Sequence, residues 1–270
     1  MDKQKAATAS LDPIHAGATL LVAALFAVVL YQVGSDPAVP AKPRWELQAL
    51  IAFAAVNTLT AMARQLPWQY VISAAVFAAL IGTAAHAASQ YSGIPFGPFL
   101  FGNNAGEQVV RLPWTVPFIW IVALFNSRGV ARLILRPWRK MKTYGFWLIG
   151  ITVGLTTIFD LGMDPFLSWL NHYWLWSPTK LAITWQGAPL INFLGWMVVS
   201  LLILAFATPF LIKKKPGQKS ASDFHPLVVW AGAMALFALA CGRHAGWVPM
   251  GLDLAAITAA TVMAVRGAKW

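Results

Sequence analysis

The sequence predicts an all-α, polytopic transmembrane helix bundle of about eight helices with both termini cytoplasmic. Three observations predict it: too few charges to coat a water-exposed globule, a series of apolar runs of spanning length, and basic residues gathered between alternate runs. Of the 270 residues, 59% are hydrophobic and 11% charged, where an average soluble domain carries roughly 25% charged residues. Lipid is the solvent that fits such a balance. The net charge of +11 is not a nucleic-acid signal, because the basic residues lie in loops and form no continuous face. No nucleic-acid partner is expected.

A spanning helix needs about 20 mostly apolar residues. Eight runs qualify: Ile14–Val33, Trp45–Ala63, Trp68–Ser89, Trp114–Leu135, Tyr144–Met163, Leu190–Ile212, Pro226–Gly242 and Val248–Val265. The seventh is the shortest. The first follows Lys3 and Lys5, yet its apolar core is too long for a signal peptide and no small-residue cleavage site follows before Asp36, so it reads as a retained helix. With the amino terminus inside, the inner segments hold 14 of the 20 lysines and arginines, the outer segments five, and Arg128 lies within the fourth span. This positive-inside skew supports eight crossings. The expectation is one integral domain over residues 1–270, multi-pass in the inner cell membrane and in contact with membrane lipid.

Two connections, Arg136–Lys142 and Lys213–Asp223, are basic or polar and read as solvated inner loops. Lys213, Lys214 and Lys215 are expected to set orientation only. Two outer segments, Gln90–Pro113 and Pro165–Pro189, are rich in Gly, Pro and aromatics. They are expected to lie at the interface or fold back over the bundle. No internal repeat marks the chain as a secondary transporter. Cys241 is the only cysteine, which excludes an internal disulfide and any CxxC pair.

Ionisable and polar residues inside a membrane are costly and point to function. The fifth span carries Thr152, Thr156, Asp160 and Asp164 at four-residue intervals. That spacing stacks them on one helix face and ends the stripe in two carboxylates. Two alternatives stay open: Asp164 as no more than the helix end before Pro165, and the threonines as donors to their own backbone. The sixth span offers Asn192, Trp196 and Ser200 at the same spacing, with a plain helix–helix hydrogen bond as the alternative role of Asn192. His86 reads as a packing histidine, Arg128 as a side chain that snorkels from the inner end, and Asp253 as an acid at the start of the eighth span. Glu107 receives no role. No HExxH or His-cluster spacing suggests a metal, and no Gly-rich loop suggests a nucleotide. No lysine in a span is available for a retinal Schiff base. No cofactor is expected. Acid–base chemistry by carboxylates within aromatic walls remains.

Four strings resemble signatures of the carotenoid 1,2-hydratase, or carotenoid biosynthesis membrane protein, family. Ser92-Gly-Ile-Pro-Phe-Gly97 is similar to its GxPFG, and Val116-Pro-Phe-Ile-Trp120 to its VPxxW. Asp160-Leu-Gly-Met-Asp-Pro165 is similar to its DLxxDP, and Gly187 to Trp196 to its GxPxxNFxGW. The resemblance covers roughly residues 75–212, with the strings in order. The chain departs from it at Pro98-Phe-Leu-Phe101, where the family carries a tyrosine-bearing stretch, and at Gln186, where an aromatic is usual. Both positions are candidates to line a substrate channel. The resemblance implies addition of water to the terminal C1–C2 double bond of an acyclic carotenoid end group, giving a tertiary alcohol. It makes a lipophilic acyclic carotenoid the substrate and admits other carotenoid biosynthesis enzymes as partners. Asp160 and Asp164 are then the catalytic pair, and Phe96, Trp120, Thr156, Asn192 and Trp196 the substrate-binding set. A carboxylic acid can protonate C2, aromatic faces can stabilise the cation at C1, and a second carboxylate can take a proton from the attacking water. Two rival readings remain. One is a lipid- or carotenoid-binding or transport protein without catalysis; the other is a structural subunit of a membrane complex.

Overall fold

A computed structural model describes residues 2–35, 39–178, 183–212 and 223–270, with side chains from Asp12 onward. Lys180 and the inner-loop lysines Lys213–Lys215 and Lys219 lie outside the described residues.

Eight helices are long and apolar enough to cross a membrane. In order they are α1 (Asp2–Ser35), α2 (Trp45–Ala63), α3 (Trp68–Ser92), α4 (Val116–Ile134), α5 (Tyr144–Asp164), α6 (Leu190–Ala207), α7 (His225–Arg243) and α8 (Trp247–Ala268). The short seventh run is a full helix. The first is longer than its apolar core, because the helix continues through the polar residues that precede it and through Pro13. Trp114 falls outside α4, in the turn that leads into it. Continuous apolar runs form helices here because a helix satisfies every backbone N–H and C=O internally, which lipid cannot do.

α4 sits at the centre: 72% of its apolar window is buried, against 17% for α1 and 22% for α8. It packs on α2, α3, α5, α7 and α8, and small residues allow the close approach. A Cβ at Gly82 of α3 would enter the Trp120 indole, and one at Gly129 of α4 would enter Pro226.

The two aromatic-rich segments fold over one end of the bundle and meet there. β1 (Phe99–Phe101) pairs antiparallel with β4 (Trp174–Trp176), with Phe99 opposite Trp176 and Phe101 opposite Trp174. Between them in sequence, β2 (Gln108–Val109) and β3 (Leu112–Pro113) form a small hairpin. Beyond β4, β5 (Thr184–Trp185) and β6 (Ala188–Pro189) form another. Gln186 and Gly187 make the second hairpin's tip with φ of 50° and 93°, the mirror-image turn geometry that suits a tight hairpin. After α5 the chain continues as a wide π-type turn, Pro165–Leu170. At the opposite, basic end, Arg64 is 2.9 Å from Asp12.

Candidate functional site

Asp160 and Asp164 lie one turn apart at the loop end of α5, and neither has any exposed surface. Their partners differ. Asn192 of α6 donates from Nδ2 to Asp160 Oδ2 at 2.8 Å, while Asp160 Oδ1 is buried without a hydrogen-bond partner among the described residues. Asp164 accepts the indole N–H of Trp174 at 2.7 Å and that of Trp176 at 3.1 Å, both on Oδ1. The Ser168 hydroxyl donates to the Asp164 backbone carbonyl at 2.8 Å. A buried carboxyl is costly unless hydrogen-bonded. Asp164 meets that demand with two indole donors, and Asp160 only halfway.

Rings join the two acids around the other side. Trp176 contacts Phe99 with centroids 5.3 Å apart, and Trp174 contacts Phe101 at 6.5 Å. Phe99 and Phe101 flank His86 at 5.9 and 6.1 Å. Phe96 lies 4.5 Å from His86. Trp120 and Trp196 stack at 4.0 Å with 21° between their planes, and Phe96 contacts both. Trp196 is one turn along α6 from Asn192, which returns to Asp160. The result is a closed circuit of carboxyl, amide and aromatic groups drawn from α3, α4, α5, α6 and both end segments.

The four sequence strings interlock here. Ser89 accepts the Phe96 backbone N–H and donates to the Gly97 carbonyl, both at 3.0 Å, which holds the PFG turn. Gly97 has φ of 99°, a conformation glycine adopts without steric cost. A Cβ at Gly195, within NFLGW, would lie 2.6 Å from the Pro95 carbonyl and 2.7 Å from the Phe96 ring. The PFG turn therefore rests on α6 at a point that admits no side chain. Gly162, within DLGMDP, faces the Asp253 carboxylate in the same way.

The structure thus brings together Asp160, Asp164, Asn192, Trp196, Trp120 and Phe96. Thr156 is buried on the same helix, but its hydroxyl donates to the Thr152 carbonyl at 2.8 Å, as Thr152 does to Leu148 at 2.6 Å. These hydroxyls are engaged by their own backbone. Asp253 does not open α8. It lies in the second turn, wholly buried, with both carboxyl oxygens unpartnered among the described residues. Arg128 is buried, with 7% of its surface exposed. Its Nη2 donates to the Leu211 carbonyl at 3.1 Å, covering a carbonyl left free just past α6. Ser200 is buried without a partner among the described residues, and Glu107 is exposed. Gln186 is exposed at its hairpin tip and lines no interior, whereas Phe99 and Phe101 of the other departing stretch stand inside the ring circuit.

Trp174, Trp176 and His86 complete the cluster beyond the sequence-based set. His86 Nδ1 is 3.0 Å from the Gly82 carbonyl and 3.3 Å from the Trp120 indole nitrogen. With its proton on Nδ1 the ring donates to Gly82 and keeps a lone pair on Nε2. With the proton on Nε2 it accepts from Trp120. Outside the membrane span, Tyr173 bonds Thr115, and burial pushes its phenol above the ordinary range.

A separate cavity lies on the far face of α5. About 350 Å³ in volume, it is bounded by α1, α2, α4, α5, the π-type turn and α7. Phe159, Met163, Phe166 and Leu167 line it, while Asp160 and Asp164 do not. The backbone of α5 separates the two regions. Among the described residues no group of three or more His, Cys, Asp or Glu side chains is placed to hold a metal ion.

No curated protein and no solved structure matches this chain significantly. A family model does: it matches residues 45–260, which include α2 through most of α8 and all four strings, under the description carotenoid biosynthesis protein. The chain belongs to the carotenoid biosynthesis protein family.

Proposed function

We propose that this protein is a carotenoid hydratase, adding water across the terminal C1–C2 double bond of an acyclic carotenoid end group to give a tertiary alcohol. The observation that carries the reading is the unequal satisfaction of two neighbouring carboxyls. Asp164 is held by two indole N–H donors and so is matched as an acceptor-only carboxylate. Asp160 keeps one oxygen without a partner among the described residues, which suits a carboxylic acid whose O–H is reserved for the substrate.

In this mechanism Asp160 transfers its proton to C2, and the π electrons of the C1–C2 bond form the new C–H bond. The positive charge left at C1 is tertiary. The faces of Trp120, Trp196 and Phe96 stabilise it through the ring quadrupoles. Water attacks C1 and Asp164 takes the released proton, which completes the alcohol. Proton transfer back to Asp160, one turn away, restores the starting state. Asn192 orients the donor by holding its other oxygen. Overall one water is consumed, with no redox change. The lipophilic substrate enters from the bilayer, and the enzymes that make or use it are natural neighbours.

The test is expression in a host that accumulates lycopene or another acyclic carotenoid, with mass spectrometry of the pigments. A gain of one water is expected. Unaltered pigment beside abundant, monodisperse protein would overturn the assignment in favour of a carotenoid- or lipid-binding protein without catalysis.

A further inference from the structure

Two arginines of α4 stand at the basic end of the bundle without a counter-charge. Arg128 is buried, and its one hydrogen bond among the described residues runs from Nη2 to the Leu211 carbonyl at 3.1 Å. That bond sets the guanidinium at the level where α6 has ended. Arg132, one turn on, is half-buried and makes no hydrogen bond or ion pair among the described residues. A buried charge is costly unless paired, and a guanidinium brings five N–H donors. Arg128 therefore holds both charge and donors that this chain leaves unanswered.

Both side chains border a cavity between α4, α5 and α6. Beyond the guanidinium groups its wall is aliphatic, with Leu148 and Ile149 of α5 facing Leu204 of α6. Along α5 the lining runs from Tyr144 to Thr152, about 12 Å of helix rise. No acid lines it among the described residues. Gly145 and Ile212 at its rim are exposed. Arg132 and Tyr144 also line a second, polar cavity, together with Arg136 and Arg139. Asp223 is the single acid among the described residues there, and both of its oxygens are engaged. One accepts the His225 backbone N–H at 3.0 Å, and the other accepts from the Gln65 amide. Three arginines against one acid leave this cavity positive.

The geometry points to a binding site for an anionic phospholipid, with its phosphate on Arg128 and Arg132 and an acyl chain against Leu148, Ile149 and Leu204. A guanidinium matches a phosphate through paired N–H donors, and the aliphatic wall suits a hydrocarbon chain. The polar cavity selects among lipids by charge. A headgroup with its own ammonium would be set among Arg132, Arg136 and Arg139, where like charges repel. A headgroup uncharged beyond its phosphate, as in phosphatidylglycerol, meets no such repulsion. A soluble phosphate or diphosphate would answer the arginines and leave the aliphatic wall bare. Neither cavity is lined by Asp160 or Asp164, so the inference stands apart from the hydratase reading.

The test is native mass spectrometry of the full chain in detergent, with equal amounts of phosphatidylglycerol and phosphatidylethanolamine of the same acyl chains. The phosphatidylglycerol adduct should exceed the other on the order of tenfold, as two basic side chains acting on one anionic lipid would give. Arg132→Gln should cut that preference about fivefold. Lys142 is an exposed charge at the same end that lines neither cavity, and Lys142→Gln should leave the preference unchanged. Gly145 lines the apolar cavity, and a Cβ there meets nothing within 4 Å. Gly145→Leu should therefore keep the protein monodisperse, crowd the acyl chain and lower phosphatidylglycerol binding several-fold. Equal binding of the two lipids by the wild-type protein would overturn the inference. So would a loss in Lys142→Gln as large as in Arg132→Gln, the mark of a diffuse surface attraction. Displacement of the lipid by millimolar pyrophosphate would assign the arginines to a soluble anion instead, and binding indifferent to Gly145→Leu would remove the acyl chain from this cavity.

Discussion

The two sides of α5 are built on opposite terms. On one side Asp160 and Asp164 are enclosed by amide, indole and phenyl groups, with donor–acceptor distances of 2.7 to 3.1 Å to their principal partners. On the other, Phe159 and Met163 border an open, largely apolar slot. The contrast follows from what each surface needs. A buried carboxyl must be met by donors at fixed distance and angle, so the elements around it are drawn tight. Apolar surface asks for no particular partner, so an apolar cavity can stand open without leaving a polar group unmet. One helix therefore separates a region specialised for directed polar contact from one specialised for accommodation.

The largest expected effect breaks the polar side at its centre. Asp160→Asn keeps shape and can still meet Asn192, but an amide has no proton to give. Hydration should fall by about 10²–10⁴-fold, the usual contribution of a general acid, measured as alcohol per unit of monodisperse protein. Near-wild-type turnover would return Asp160 to a helix-packing role. Trp174→Phe comes next, because it removes one donor from Asp164. Leaving a buried acceptor short costs about 1–3 kcal/mol, so activity should drop roughly tenfold or more. Trp185→Phe is the control: Trp185 donates to the Leu161 carbonyl at 2.9 Å and not to an acid, and its loss should be milder. If the two variants behave alike, the indole contacts to Asp164 have no special standing.

Gly195→Ala tests the seam between the PFG turn and α6. The added methyl falls on the Pro95 carbonyl and the Phe96 ring, and overpacking of this kind costs about 1–3 kcal/mol. A lowered thermal midpoint and reduced activity together are expected; an unchanged midpoint would show that the seam yields. The smallest effect belongs to Lys213→Gln, since a solvated charge contributes little, and activity should stay within about twofold. Reporter fusions after Lys219 and at the carboxyl terminus fix the side on which each region opens. Both should report cytoplasm, as the basic skew requires, and a periplasmic signal from either sinks that orientation.

Much of this architecture was legible in the residues. Trp45–Ala63 coincides with α2, because a long apolar run bounded by polar residues has one solution in lipid. The meeting of Asp160 with Asn192 was visible as two four-residue rhythms on neighbouring helices. Trp174 and Trp176 carried no such rhythm. They reach Asp164 only because β4 pairs with β1 across some 70 residues of sequence, and single-chain periodicity holds no record of that register. The burial of Asp253 and Arg128 was hidden for a related reason. Position along a helix tells how far a side chain is from the end, while its neighbours on α5 and α6 decide whether it meets water.

The β1–β4 ladder has a temporal consequence. Three residue pairs hold it, and it carries the indoles that engage Asp164. So short a ladder opens locally at a small fraction of the free energy needed to part the helices. Each opening frees both indoles from the carboxylate at once and bares the end of the bundle to water. The amides of Phe99–Phe101 and Trp174–Trp176 should therefore exchange with deuterium well before those of α4. Their exchange rate then reports how often the end of the bundle opens.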